Sequence, residues 1–238
     1  MKYDFHSHFL PGIDDGARDP VQSVAILKYL CSNGIRKVCA TPHYSSHHES
    51  VEHFLERREG AKNRLFEYMK GLTQSERECL PEIVYGAEVK LERGLCEKKD
   101  VEKLALGTSG HILLELPFAS YEEWMSEEIY NVRYQFGVSP IMAHINRYYT
   151  LFSKSEFDDL FLDGDLALQM NCESMTGLSS SVRTKKLIKN CGSIVFGCDI
   201  HDPKKTGESG LEKMLGFLGK LPEESQRHIS HIEKYILG

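Results

Sequence analysis

Short runs of β-branched and apolar residues alternate with longer stretches whose apolar positions recur at helical spacing, and the alternation runs from one end of the chain to the other. The extended pattern predicts strands at Lys2–Phe5, Lys37–Ala40, Ile83–Gly86, Ile112–Leu116, Ser139–Ala143, Ala167–Asn171 and Ser193–Gly197. Between them the helical pattern predicts Val21–Ser32, Val51–Tyr68, Ser126–Gln135, Lys154–Leu162, Ser180–Lys189, Leu211–Phe217 and Glu223–Tyr235. In the first of these helices Val21, Val24, Ala25, Leu27, Leu30 and Cys31 form the stripe. Asp19-Pro20 supplies its cap and first-turn proline, and Asn33-Gly34 ends it. Such alternation implies an α/β protein of about seven β/α units, with no repeat, linker or low-complexity tract to divide it. Gly107-Thr108-Ser109-Gly110 and Thr206-Gly207-Glu208-Ser209-Gly210 read as loops too short to separate domains, so residues 1–238 are expected to form one domain.

The polar residues follow a positional rule. His6-Ser7-His8, with Asp15 beyond, follows the first strand; Thr41-Pro42-His43 follows the second and Glu88 the third. Glu115 lies at the end of the fourth, His144 just past the fifth, and Asp199-Ile200-His201 just past the seventh. In a parallel barrel these points converge on the carboxyl-terminal face. In extended backbone residues two apart project the same way, so His6 with His8, and Asp199 with His201, can each reach one cluster. Singly, each has an ordinary alternative: a lone His-x-His is a weak signal, and isolated Glu88 or Glu115 would make a salt bridge. Placement of five imidazoles and four carboxylates by one rule favours a metal site. His47, His48, His53, His111, His228 and His231 lack that placement and read as surface or packing residues.

Composition narrows the function classes. A chain of 238 residues that is 41% hydrophobic and 27% charged can bury about 70–75% of its unfolded surface in one core. No apolar run is long enough to span a bilayer, and the N-terminus leaves no room for a signal peptide, which predicts a cytoplasmic protein without stable membrane insertion. A formal charge of -6 without a basic stripe argues against nucleic-acid binding, though not against a small anion. Seven scattered cysteines read as reduced and mostly structural. None has Arg six residues later, which excludes the C-x-x-x-x-x-R cysteine phosphatase loop, and no phosphate-binding P-loop motif is present.

Imidazole and carboxylate donors without thiolate suit Mn, Fe, Co or Zn. Nine donors exceed the needs of one ion, and two or three ions about 3.5–4 Å apart could share them through bridging carboxylates. Such a cluster keeps positive charge, attracts a phosphate and lowers the pKa of a bound water, so that a hydroxide can attack phosphorus in line. Arg147, three residues after His144, is the best additional cation: its fork fits phosphate, and its alternative is a surface salt bridge. Lys204 and Lys205 would add positive field or remain solvated.

These segments together resemble a known family. Asp4-Phe5-His6-Ser7-His8-Phe9-Leu10-Pro11-Gly12-Ile13-Asp14-Asp15-Gly16, Ala40-Thr41-Pro42-His43, Tyr85-Gly86-Ala87-Glu88, Leu114-Glu115, Ala143-His144-Ile145-Asn146-Arg147-Tyr148 and Cys198-Asp199-Ile200-His201 are similar to the motifs of capsular-polysaccharide-type protein-tyrosine phosphatases of the PHP superfamily. The resemblance spans nearly the whole chain and implies a distorted TIM-like barrel with three metals, commonly manganese. It implies hydrolysis of phosphotyrosine on a tyrosine kinase that controls capsule or exopolysaccharide assembly, and it leaves an oligomer open. By motif, His6, His8, Glu88 and Asp199 would hold one metal, Asp15, His43 and His201 a second, and Glu88, Glu115 and His144 a third, with Arg147 on phosphate. The chain departs from the family at Asn146, where Glu is frequent, and at Lys204 and Lys205, where the family has an Arg able to form a fork.

Three rivals share parts of this pattern. A PHP phosphomonoesterase for a small metabolite such as histidinol phosphate would use the same ligands. An amidohydrolase also opens with His-x-His but often bridges its metals with a carbamylated Lys, where this chain offers Glu88. A noncatalytic metal-binding regulator would turn over nothing.

Overall fold

The computed structural model describes residues 1–162, 166–172, 178–202 and 209–238. Its strands are β1 (Tyr3–Ser7), β2 (Lys37–Ala40), β3 (His43–Tyr44), β4 (Glu82–Tyr85), β5 (Glu88–Lys90), β6 (His111–Glu115), β7 (Ser139–Met142), β8 (Ala167–Asn171) and β9 (Ile194–Gly197). The helices are α1 (Pro20–Ser32), α2 (Val51–Lys70), α3 (Gln74–Glu78), α4 (Glu123–Phe136), α5 (Lys154–Phe161), α6 (Leu178–Asn190), α7 (Ser209–Leu218) and α8 (Glu223–Leu237). All seven expected strands and all seven expected helices are present, with ends displaced by up to three residues. The elements not foreseen are β3, β5, α3 and three short 3-10 helices, one of which, Ile145–Thr150, bears on the site.

Local chemistry sets the helix ends. The Asp19 carboxylate accepts from the Gln22 amide at 2.8 Å ahead of Pro20, and the Ser50 hydroxyl accepts from His53 at 3.2 Å at the start of α2. Thr73 with Glu76, and Ser153 with Glu156, form reciprocal capping boxes at α3 and α5.

Every strand pairing is parallel, in one sheet of order β1-β2-β4 and another of order β3-β5-β6-β7-β8-β9. This arrangement establishes the α/β class and differs from the single closed sheet of the expected barrel. Two chain breaks account for the division. Thr41-Pro42 interrupts the β2–β3 segment and Gly86-Ala87 the β4–β5 segment, where proline has no N–H to donate to the ladder and glycine no side chain to pack on the sheet face. Backbone bonds still span the breaks, from Gly86 N–H to Ala40 O at 2.9 Å and from Glu88 N–H to Pro42 O at 3.1 Å. On the far side, Asp199 N–H donates to His6 O at 2.8 Å and His8 N–H to Ile200 O at 3.1 Å, bringing the end of β9 beside the end of β1.

The larger core lies between the sheets and the helices, while a smaller one gathers Phe5, Cys39, Leu113, Ile141, Ala167 and Val195 beneath Ile232, Ile236 and Leu237 of α8. The α8 helix reaches the amino-terminal ends of the strands, where Glu233 accepts from Lys2 N–H at 3.3 Å and Lys37 Nζ donates to Leu237 O at 2.6 Å. The opposite, carboxyl-terminal ends are left to the polar residues. No helix among the described residues is long and apolar enough to cross a membrane.

Candidate metal centre

All nine residues expected as ligands come together at those carboxyl-terminal ends. Glu88, at the start of β5, stands at the middle and is only 1% exposed. Its Oε2 lies 3.1 Å from His6 Nε2, 3.2 Å from His8 Nε2 and 2.9 Å from His43 Nδ1, and its Oε1 lies 2.5 Å from His144 Nε2. Glu115 Oε1 is 3.6 Å from His144 Nε2. Asp199 Oδ1 lies 3.6 Å from His6 Nε2, 3.4 Å from His8 Nε2 and 3.6 Å from His201 Nδ1. Asp15 Oδ1, on a carboxylate 72% exposed, sits 3.3 Å from His43 Nε2 and 3.2 Å from His201 Nε2.

Four groupings place one ligand atom per residue within 4.8 Å of the others: His8, Asp15, His43 and His201; His6, His144 and Asp199; His6, His8 and Glu88; and His43, Glu88 and Glu115. They overlap the three sets implied by the resemblance, with His8 joining the Asp15 set and His43 taking the place of His144 beside Glu115.

Close backbone packing holds this geometry. A Cβ on Gly197 would lie 2.5 Å from His6 Cβ, and one on Gly16 would lie 2.0 Å from His8 O, so β9 and the Asp14-Asp15-Gly16 turn approach the His-x-His segment only because glycine stands at both positions. His144 and Asp199 both have φ of +50°, a left-handed conformation costly for residues with a Cβ. Such strain is found where the surroundings over-determine a functional geometry.

The donors fit divalent cations. Four imidazoles turn Nδ1 to an oxygen: His6 to Gln169 Oε1 at 3.2 Å, His8 to Asp14 Oδ2 at 2.8 Å, His144 to Asn171 Oδ1 at 2.9 Å and His201 to Asp199 O at 3.0 Å. With the proton on Nδ1, the Nε2 lone pairs face inward. Those of His6 and His8 are 3.0 Å apart, and the buried Glu88 Oε2 lies within 3.2 Å of both and 2.9 Å from His43 Nδ1. Converging lone pairs and a buried carboxylate oxygen repel one another unless positive charge sits among them. Without a cation, protons on the rings take that place, and the titration directions follow from the mutual attraction of imidazoles and carboxylates. Burial lowers the pKa of His6, His8 and His43, but carboxylates outweigh it and raise all three, Glu88 and Asp199 acting on His6, Asp14 foremost on His8 and Glu88 on His43. Burial raises Glu88 and Asp199, and the surrounding imidazoles overcome it and lower both. Glu115 is raised, by burial and then by the charge of Glu88.

Arg147 reaches the centre from the 3-10 helix Ile145–Thr150, which begins directly after His144. Tyr148 OH donates to Leu116 O at 2.6 Å and pins this helix to the end of β6. The guanidinium, 39% exposed, bonds Glu115 Oε1 and Asp199 Oδ2 at 3.2 Å each. The two sequence alternatives therefore coincide: it is ion-paired, and it faces the mouth of the centre. Lys204 and Lys205 lie outside the described residues, as does most of the Thr206–Gly210 loop. His47, His53, His111 and His228 make contacts elsewhere, with Arg93 O, Glu49, Ser109 O and Gly192 O.

Sequence reasoning missed the residues behind the ligands: Asp14, Gln169, Asn171 and Asp4, whose Oδ1 accepts from His6 N–H at 3.2 Å and Cys198 N–H at 2.9 Å. Burial pushes the Asp4 carboxyl up to about 6, against the pull of those two bonds. The available signal was polar residues two apart on β8, the one expected strand with no ligand after it.

Fold and donor set together define a parallel α/β protein with a candidate polynuclear metal centre. The chain belongs to the capsular polysaccharide synthesis CpsB/CapC family, whose family model matches residues 2–232. It is similar to the tyrosine-protein phosphatase YwqE of Bacillus subtilis, 27% identical over a 153-residue alignment that covers 60% of this chain and 54% of that protein. The matched segment thus spans about half the length of that relative. A solved structure from the pair YwqE of Bacillus subtilis and CpsB of Streptococcus pneumoniae, described as unique metal-dependent tyrosine phosphatases, superposes with a TM-score of 0.77 at 20% identity, covering 99% of this chain and 94% of that one. Histidinol phosphate phosphatase of Lactococcus lactis, solved with zinc, L-histidinol and phosphate, gives a TM-score of 0.56 at 14% identity over 92% of this chain and 93% of its own.

Proposed function

We propose that this protein is a metal-dependent protein-tyrosine phosphatase, acting in the cytoplasm on a tyrosine kinase that controls capsule or exopolysaccharide synthesis. The observation that carries this reading is the set of imidazoles whose Nδ1 atoms are all engaged and whose Nε2 atoms converge on buried Glu88, with Arg147 at the rim. Membership of the CpsB/CapC family and the names of the relatives supply the substrate class. We further read residues 1–238 as one domain and the two sheets as arcs of one distorted barrel, on the strength of the hydrogen bonds across both junctions.

His6, His8, Glu88 and Asp199 would hold one ion, Asp15, His43 and His201 a second, and Glu88, Glu115 and His144 a third, manganese being the first candidate and Fe, Co or Zn its alternatives. Bound there, such ions supply Lewis acidity and an activated water for attack on phosphorus. The chain's own part is orientation. Arg147 uses one N–H on Glu115 and one on Asp199, and its partly exposed guanidinium has further N–H groups that can grip phosphate oxygens. Asp15 and His43 are exposed on the rim, so the centre opens to solvent, as a phosphotyrosine on a protein surface requires.

The test is phosphate release from a phosphotyrosyl peptide, a phosphoseryl peptide and histidinol phosphate, using metal-stripped protein with and without added manganese. Manganese-dependent release confined to phosphotyrosine is expected. Preference for histidinol phosphate would keep the centre and overturn the substrate, and no release from any of the three would overturn the phosphatase reading.

A further inference from the structure

Strand β8 lies between β7 and β9 and supplies none of the nine candidate ligands, yet it carries two buried amides on one face, Gln169 and Asn171. Gln169 Oε1 accepts from the His144 backbone N–H at 3.0 Å and lies 3.2 Å from His6 Nδ1, while its Nε2 donates to Asn171 Oδ1 at 3.0 Å. Asn171 Oδ1 also lies 2.9 Å from His144 Nδ1, and Asn171 Nδ2 donates to Asp199 Oδ2 at 2.9 Å.

The two ends of this network fix every proton in it. A backbone N–H only donates, so the Gln169 atom facing it is the oxygen; an ionised carboxylate only accepts, so the Asn171 atom facing Asp199 is the nitrogen. It follows that His6 Nδ1 and His144 Nδ1 must both donate. In the neutral rings Nε2 is then the ligating atom and is turned to Glu88, 3.1 Å from Oε2 for His6 and 2.5 Å from Oε1 for His144. Asp199 is held in the same way. Its Oδ1 faces His6 and His8, and its Oδ2 is shared between Asn171 and Arg147, so Asn171 keeps the carboxylate in place if Arg147 turns to a substrate.

We propose that Gln169 and Asn171 form a positioning ladder that locks the tautomers of His6 and His144 and the orientation of Asp199, so that divalent-ion binding depends on two side chains that are not ligands. The inference rests on the metal-centre reading and assigns to β8 the role its missing ligand leaves open. Outer partners of this kind typically change metal affinity by about 10–100-fold.

The experiment is calorimetric titration of manganese into metal-stripped wild type, Gln169→Leu and Asn171→Asp, with circular dichroism and melting in chelator as the control on folding. Gln169→Leu removes the acceptor behind His6 and is expected to weaken manganese binding by about 10–100-fold. Asn171→Asp keeps an acceptor for His144 Nδ1 but sets a carboxylate against Asp199 Oδ2, so loss of the Asp199 ion, one fewer manganese per chain, is expected. Both variants should stay folded in chelator, Gln169→Leu melting somewhat below wild type because the buried His144 N–H loses its acceptor. Wild-type stoichiometry and affinity in both folded variants overturn the ladder, as does a variant that unfolds in chelator, because the amides would then be holding the fold rather than the centre. A wild-type protein that binds neither manganese nor iron, cobalt or zinc in the same titration instead overturns the metal-centre reading itself.

Discussion

At the scale of single residues, His144 and Arg147 stand three positions apart and are predicted to fail differently. His144 Nε2 touches Glu88 and approaches Glu115 Oε1 with a ligating nitrogen, whereas Arg147, a cation and so no ligand itself, pairs with Glu115 Oε1 and Asp199 Oδ2 from the exposed side. His144→Ala should therefore lose bound metal and phosphate release together. Arg147→Ala should keep its metal and lose turnover by roughly 10²–10³-fold, the scale of removing one preorganised donor from a developing charge. Metal content by mass spectrometry beside phosphatase rate separates the two, and a fully active Arg147→Ala would end its assignment to phosphate. The nine inward-facing residues were legible because a strand's end is marked in sequence by where its apolar run stops. Asp14 was passed over beside Asp15, and Gln169 and Asn171 were absorbed into a strand, because which oxygen meets an imidazole Nδ1 is decided by tertiary packing that no local pattern records.

At the scale of elements, the centre depends on how closely β9 approaches β1. A Cβ at Gly197 would meet His6 Cβ at 2.5 Å and Gln169 Nε2 at 2.8 Å, with no flexible side-chain tip on the β1 side to yield. Gly197→Ala is expected to destabilise by about 1–3 kcal/mol, the usual range for overpacking, and to weaken metal binding beyond what the lost stability explains. Denaturant melts with and without manganese would show both, and unchanged values would mean the strands can part freely.

The segment after β3 is braced differently, by the buried Glu92 carboxylate, which accepts from Ser45 Oγ at 2.9 Å, Ser46 Oγ at 3.0 Å and His47 N–H at 3.2 Å. Burial raises the Glu92 pKa, but these bonds win and lower it below the ordinary 4.5. The unfolded chain therefore takes up this proton first as pH falls, and the stabilisation, present above that value, is lost as pH drops through the folded one. In chelator, wild type should outlast Glu92→Gln at pH 7 and begin to lose that advantage only as pH falls below 4.5; a constant difference in melting temperature would remove the carboxylate from the brace. The β/α order around these segments was legible from periodicity. The breaks at Thr41-Pro42 and Gly86-Ala87 were not read as such, because β3 and β5, of two and three residues, are too short to carry a pattern.

At the scale of the whole molecule, the alternation of apolar runs was enough to give the α/β class, and it said nothing of how the sheet would divide, since that depends on backbone bonds between segments remote in sequence. The same remoteness makes the centre a global constraint. Its candidate ligands come from β1 and the residue just after it, the turn at Asp15, the β2–β3 and β4–β5 segments, β6, and the ends of β7 and β9, so a cation bound among them would tie together nearly every strand described. Binding to the folded state alone stabilises by mass action, about 2.7 kcal/mol at a hundredfold excess over the dissociation constant. For a chain of this length that corresponds to a rise of roughly 5–10 °C in melting temperature. Metal-stripped protein should show that rise on adding manganese, growing with the logarithm of its concentration, and a chelator should reverse it. His144→Ala should show a smaller rise, because the grouping with His6 and Asp199 loses an imidazole and Glu88 Oε1 loses its nearest nitrogen. A full rise in that variant would place the stabilising ion elsewhere on the protein, and no rise in wild type would mean that the inward-facing imidazoles are satisfied by protons alone.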